Sequence, residues 1–185
     1  MYRLFMKLTL ETLYKDHDNL RKILCLLERL LIDVYRGSPD SYPLLQRVLI
    51  YIQEYPSRIH HPAEYAVFSM MSKNGASSRK FHDDVNTLMQ DHTDIEGIIR
   101  NAIKAVGPAL ASAHTDMTDI GGRLSAVINR ERSHLLFEEM NIYPYIAEHM
   151  EKKNWEAISA LIPDYEDPLF GDQVRKEYES IYKAL

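Results

Sequence analysis

The sequence has a single cysteine among its 185 residues, Cys25. One thiol cannot close an internal disulfide, and it leaves no thiolate pair for a structural zinc site. Such usage fits a reducing compartment, and the chain reads as cytoplasmic. Cys25 lies among Leu24, Leu26 and Leu27, where it is expected to be a small filler of the core. No segment concentrates lysine and arginine, and the formal charge is −5, so the electrostatic footprint of a nucleic-acid binder is missing. No stretch approaches the roughly 18 uncharged apolar residues of a membrane span. Residues 1–10 hold Arg3 and Lys7 inside a short apolar run, which excludes the longer apolar core of a secretory leader. Glycine and proline are sparse, at 7 and 8 residues, so each acts as punctuation.

What is present is a hydrophobic share of 45%, enough for a folded core. Breaks fall at Gly37-Ser38-Pro39-Asp40, at residues 73–78, from Gly107-Pro108 to about Thr118, and from Pro163 to Gly171. The segments between them are helical in period. Leu13, His17, Leu20, Leu24, Leu27, Leu31 and Val34 step by alternate fours and threes, as do Phe81, Val85, Leu88, His92, Ile95, Ile99, Ala102 and Val106. Each series is one face of a bundle helix. A second segment, about Tyr42 to Met71, carries Pro56 and Pro62, so a kink or short break is expected near its histidines. A fourth runs from about Asp119 to Tyr143 and is interrupted by Pro144. Shorter helices are expected at Trp155–Ile162 and Asp172–Leu185. The pattern predicts an all-α protein of one domain: an up-down-up-down four-helix bundle over about 9–150, with additional C-terminal helices over about 151–185.

The two halves of the chain match. Asp16-His17 corresponds to Asp91-His92, and the distance to the next histidine is 43 residues from His17 to His60 and 42 from His92 to His134. His60 and His134 each have a glutamate four residues on, Glu64 and Glu138, which places the pair on one helix face. Ligands on the two arms of an antiparallel hairpin meet only if they are equally far from its turn. His17 stands 20 residues before Gly37 and His60 stands 20 after Asp40, while His92 is 15 before Gly107 and His134 is 16 after Thr118. Four imidazoles and two carboxylates at one level suit iron, manganese or zinc rather than calcium or magnesium. Two carboxylates available to bridge favour a pair of ions over one.

Other candidates are weaker. His61 is the rival of His60, being three residues from Glu64, but Ser133-His134 before Glu138 favours the four-residue spacing. Glu131, one turn before His134 on the buried stripe, is placed to hydrogen-bond a ligand histidine. Glu96 completes a third His-x-x-x-Glu with His92 but has no counterpart in the first copy, where Arg21 stands, and reads as a surface group or a partner of a ligand. His82, His114 and His149 lack partners at metal spacing and are expected to be solvated. Tyr14 and Tyr65, beside the ligands in sequence, read as packing residues.

These residues resemble the hemerythrin-like proteins with the HHE cation-binding domain, from about Thr9 to Tyr145. The resemblance is carried by Asp16-His17, His60-His61-Pro62-Ala63-Glu64, Asp91-His92 and His134-Leu135-Leu136-Phe137-Glu138-Glu139. Trp155 and Asp167-Pro168-Leu169-Phe170-Gly171 look like the tail of many bacterial members. The resemblance implies a centre of two non-haem iron ions joined by an oxo or hydroxo group, with Glu64 and Glu138 bridging them. Oxygen-carrying members have a further histidine four residues before the one matched by His92; here Leu88 stands there. The pattern is closer to members with four histidines and two glutamates, some linked to iron sensing and some to repair of iron clusters. It implies binding or sensing of O2, NO, redox state or iron. Alternatives are an enzyme acting on peroxide or supplying iron for repair, and a metal-free helical interaction module. The expected partner is a small diatomic ligand or peroxide. A homodimer is compatible with the sequence but is not read from it.

Overall fold

The computed structural model describes residues 2–73, 77–110, 116–161 and 167–185. Helices α1 (Tyr2–Tyr35), α2 (Tyr42–Tyr55), α3 (His61–Lys73), α4 (Arg79–Ala109), α5 (Met117–Phe137) and α6 (Tyr143–His149) form the bundle. Between α2 and α3 the chain makes one π-helical turn, Pro56–His60, and between α5 and α6 another, Glu138–Ile142. Each pair joined by such a turn acts as one long, bent arm. The first arm, α1, lies beside α2 and α5, and α4 lies beside the same two. The protein is therefore all-α, an up-down-up-down four-helix bundle. Two shorter helices follow: α7 (Lys152–Leu161), which packs on α1 and α3, and α8 (Glu179–Tyr182), which packs on α2.

The helix ends follow local chemistry. Gly37, at φ 69°, ends α1 in a left-handed conformation that a side chain would strain. There the Ser38 N–H reaches the Asp33 carbonyl at 3.0 Å and the Gly37 N–H reaches Val34 at 2.9 Å, a Schellman closure. Ser78 caps α4 by accepting from the Phe81 N–H, and Asp116 caps α5 by accepting from Thr118 and Asp119.

The kink expected near the histidines is a wide turn. In both arms the residue before a proline bonds one residue further back than in an α-helix: the His61 N–H to the Pro56 carbonyl, ahead of Pro62, and the Tyr143 N–H to the Glu138 carbonyl, ahead of Pro144. A proline clashes with the carbonyl four residues earlier. Widening the turn before it moves that carbonyl away, and the helix continues.

Other boundaries differ from expectation. Helix α4 runs through Gly107-Pro108 to Ala109, since a proline in the last turn removes one bond only, to the carbonyl of exposed Lys104. The tail over 172–185 is a 3-10 turn, Lys176–Tyr178, followed by the single turn of α8, rather than one helix. Asp167 explains this. It accepts from the Leu169 and Phe170 amides and from the Tyr51 hydroxyl at 2.8–3.1 Å, and Arg175 N–H bonds to the Pro168 carbonyl. These bonds hold the segment in turns across α2. Cys25 is exposed instead of filling the core, because it shares the outer face of α1 with Asp18, Lys22 and Arg29. The expected breaks at 74–76 and 111–115, with His114, lie outside the described residues, as do Ile162 and Pro163.

The interior consists of two apolar clusters. One contains Leu20, Leu24, Leu27, Leu45, Ile52, Ile95, Ile99, Leu124 and Val127. The other contains Leu13, Val67, Phe68, Leu88, Ile142, Tyr143, Ile146 and Trp155. His17, His60, Glu64, His92, His134 and Glu138 fall between them along every arm. Asp167→Ala leaves the buried Tyr51 hydroxyl and two amides unpaired. We expect a loss of about 2 kcal/mol and a melting temperature lower by roughly 4–8 °C, with Tyr51→Phe giving a smaller drop. Thermal melts followed by circular dichroism check this; an unchanged midpoint in Asp167→Ala would show that the tail is not held there.

Candidate metal centre

Four arms deliver the six residues. His17 comes from α1, His60 closes the first π turn, Glu64 is in the first turn of α3, His92 is in α4, His134 is in the last turn of α5 and Glu138 opens the second π turn. All six are buried, and His17, Glu64 and Glu138 are fully enclosed. The structure brings them together at one level of the bundle, as equal loop distance required.

The carboxylates divide their oxygens. Glu64 Oε1 lies 3.4 Å from His60 Nε2 and 3.9 Å from His17 Nε2, while its Oε2 lies 3.6 Å from His92 Nε2. Glu138 Oε2 lies 3.2 Å from His17 Nε2, while its Oε1 lies 3.3 Å from His134 Nε2 and 3.7 Å from His92 Nε2. Within each histidine pair the Nε2 atoms approach closely, 3.2 Å for His17 and His60 and 3.0 Å for His92 and His134. With metal–nitrogen bonds of about 2.1 Å, adjacent ligands around one ion stand roughly 3 Å apart.

Other groups orient the imidazoles. The His60 Nδ1–H donates to Asp16 Oδ2 at 3.2 Å, and Asp16 is held in turn by the Tyr55 hydroxyl. The His17 Nδ1–H donates to Glu139 Oε1 at 2.9 Å, with Arg21 on the other Glu139 oxygen. Both contacts leave Nε2 facing the site. In the second half Asp91 is the counterpart of Asp16, but Arg130 holds it and it stands 3.8 Å from His134 Nδ1. Sequence reasoning missed these partners, although the repeated Asp-His pair marked two of them. It also missed Tyr143, fully buried, whose hydroxyl donates to Glu64 Oε1 and lies 2.9 Å from His17 Nε2. Glu131 is buried as expected, yet among the described residues it makes no hydrogen bond to a ligand histidine. His61 does not take the place of His60: its ring stacks on His92 at 3.7 Å. His82 and His149 are half-buried rather than solvated, His82 bonded to Ser77 and His149 to the Tyr145 carbonyl. Glu96 accepts from Ser57. Tyr65 is exposed, and Tyr14 stands edge-on to Tyr143.

Burial sets the charges, with neighbours deciding its outcome. Burial and then the His60 charge hold His17 down to about 4 against the pull of Glu64. His134 falls to about 3, through burial that Glu64 does not offset. Burial opposes the His60 cation too, but Glu64 and the Asp16 hydrogen bond outweigh it and raise His60 to about 10. Burial alone would raise Glu64; His60 holds it well below the usual carboxylate range. Glu138 is pushed well above that range by burial and then by the Glu64 charge. Burial raises Glu131 to about 7. The layer thus favours a neutral carboxyl at Glu138 and a cation at His60.

Whether these residues fit a metal is tested by what they leave unpaired. Glu64 Oε2 and both Glu138 oxygens are buried without a hydrogen-bond partner among the described residues. Unpaired buried acceptors are costly. Here they converge with imidazole Nε2 atoms, and His17, His60, Glu64 and Glu138 place one donor atom each within 4.8 Å of one another, as do His61, His92 and His134. The set fits a divalent or trivalent transition metal.

A metal held by these residues would compete with protons on His60 and Glu138. Both sites have pKa values raised above their ordinary ones, so affinity rises with pH through neutrality, by about tenfold per unit for each proton displaced. The His60 contribution levels off near pH 10. Calorimetric Zn(II) titrations at pH 6, 7 and 8, in buffers of different ionisation enthalpy, count the protons. At least one should be released per chain at pH 7; none would contradict the protonated layer.

Comparison with known proteins agrees with the geometry. Neither the search of curated proteins nor that of solved structures gave a match. The family description Hemerythrin HHE cation binding domain matches residues 8–146, most of the chain and all six buried residues, and the protein belongs to that family.

Proposed function

We propose that the protein is a non-haem di-iron protein that binds or senses a small ligand such as O2 or NO, or reports redox state or iron supply. What supports two ions over one is the division of the carboxylate oxygens. Glu64 and Glu138 each turn one oxygen to the His17/His60 pair and the other toward His92 or His134. His17 and His60 would hold one ion, His92 and His134 the other, with both glutamates bridging. Bound iron would supply Lewis acidity and one-electron redox chemistry.

The chain's own residues prepare that site. Asp16 and Glu139 fix the tautomers of His60 and His17. The cluster around Leu13, Phe68 and Ile146 excludes water from one side. An open cleft of about 450 Å³, lined by Ser57, His61, Pro62, Tyr65, Met89, His92, Thr93 and Glu96, reaches the His92 side. One observation favours a second reading, an enzyme that consumes peroxide: Tyr143 places a buried hydroxyl, donating to Glu64 Oε1, 2.9 Å from His17 Nε2, a position from which it would serve as a proton donor. Tyr143→Phe separates the two readings. For an enzyme, peroxide consumption should fall at least about tenfold; for a binder, any slow background consumption should be unchanged.

Iron-replete protein should contain two iron atoms per chain by elemental analysis; saturation at one contradicts the dinuclear reading, and no uptake favours an interaction module. Binding at a thousand times Kd stabilises by about 4 kcal/mol, a rise in melting temperature of roughly 10 °C. Glu138→Ala should lose most of that rise and His149→Ala should keep it. Equal rises in the two variants would sink the bridging role of Glu138.

A further inference from the structure

The first half of the chain offers the site two consecutive histidines, and the fold sends them to different places. Neighbouring residues on a helix point about 100° apart, so His60 and His61 cannot both join one ligand pair. His60 Nε2 goes to His17. His61 lies across the layer: its ring is parallel to that of His92, at 3.7 Å and 9°, and its centroid is 6.2 Å from that of His134. A ring nitrogen of His61 lies within 4.8 Å of one on His92 and one on His134. His61 is the residue whose N–H closes the first π turn, so the wide turn sets the position from which its side chain crosses.

We infer that His61 is the third imidazole of the ion held by His92 and His134. The inference rests on the dinuclear reading above. On the third arm, the residue one turn before His92 is Leu88, which is fully buried in the apolar cluster and has no donor. The second arm brings an imidazole to this position, that of His61. The two positions then differ. One has His17 and His60, with the Tyr143 hydroxyl beside them. The other has His61, His92 and His134. His61 also lines the open cleft together with His92, so its bond to the ion closes the direct path from that cleft.

The test compares the full-length protein with His61→Ala, with His61→Gln as a second variant of smaller volume change, and with His149→Ala as control. Each is titrated anaerobically with ⁵⁷Fe(II) and read by iron count, Mössbauer spectrum and the hyperfine-shifted imidazole N–H resonances. The unaltered protein should bind two ions, and loss of His61 should weaken one of them about tenfold or more. One quadrupole doublet should change, one shifted N–H resonance should vanish, and added imidazole should restore the original spectrum through the cleft. A merely structural stacking role would not give rescue by free imidazole. Two ions in the unaltered protein, with both variants unchanged in affinity and spectrum, would overturn the role of His61 and leave the dinuclear reading standing. Fewer than two ions in the unaltered protein would overturn both.

Discussion

Two carboxylates face each other in the middle of an apolar bundle, and most of the local architecture answers to that. Glu64 and Glu138 are fully buried, and two like charges at that depth cannot both persist without a counter-charge. The surrounding four imidazoles, the upward shift of Glu138 and the upward shift of His60 are the response of the chain alone. Asp16 and Glu139 extend it outward by a further step, ending at the Tyr55 hydroxyl and at Arg21. A cation at the centre would meet both carboxylates and release the protons that now separate them.

Much of this was legible in the sequence because helices translate spacing into geometry. The four-and-three steps of Leu13 to Val34 and of Phe81 to Val106 gave two bundle faces, and equal distances from the turns gave one level for six ligands. Orientation about each helix was less legible. Cys25 sits among leucines in sequence but faces outward in space, since adjacent residues diverge by about 100°. Contacts between arms were not legible at all. That Glu139 would serve His17, or Asp16 serve His60, depends on which helices are neighbours. The departure of Asp172–Leu185 from helix has the same origin, because a carboxylate on Asp167 captures amides from its own segment and a hydroxyl from α2.

The two halves repeat their ligands but not their prolines. Pro62 falls between His60 and Glu64, whereas Pro144 comes six residues after Glu138. The wide turn therefore ends with the histidine of the pair in one half and begins with its glutamate in the other. The pseudo-symmetric halves also differ in their outer partners, since Arg130 draws Asp91 away from His134 while Asp16 remains bonded to His60. The two ends of the centre are therefore distinguishable.

The layer of buried histidines and glutamates also divides the interior into two apolar clusters. Bundles usually loosen first at frayed ends, where backbone bonds are solvated. Here, among the described residues, the middle holds buried oxygens without a hydrogen-bond partner, while Trp155 and Ile146 seal one side and Leu24, Leu45 and Leu124 the other. Without an ion, this pattern would place a weak layer at the waist of the molecule. Amide exchange along the turns around His60 and His134 would then run ahead of exchange in either cluster, and the bundle would open as two halves hinged at its centre.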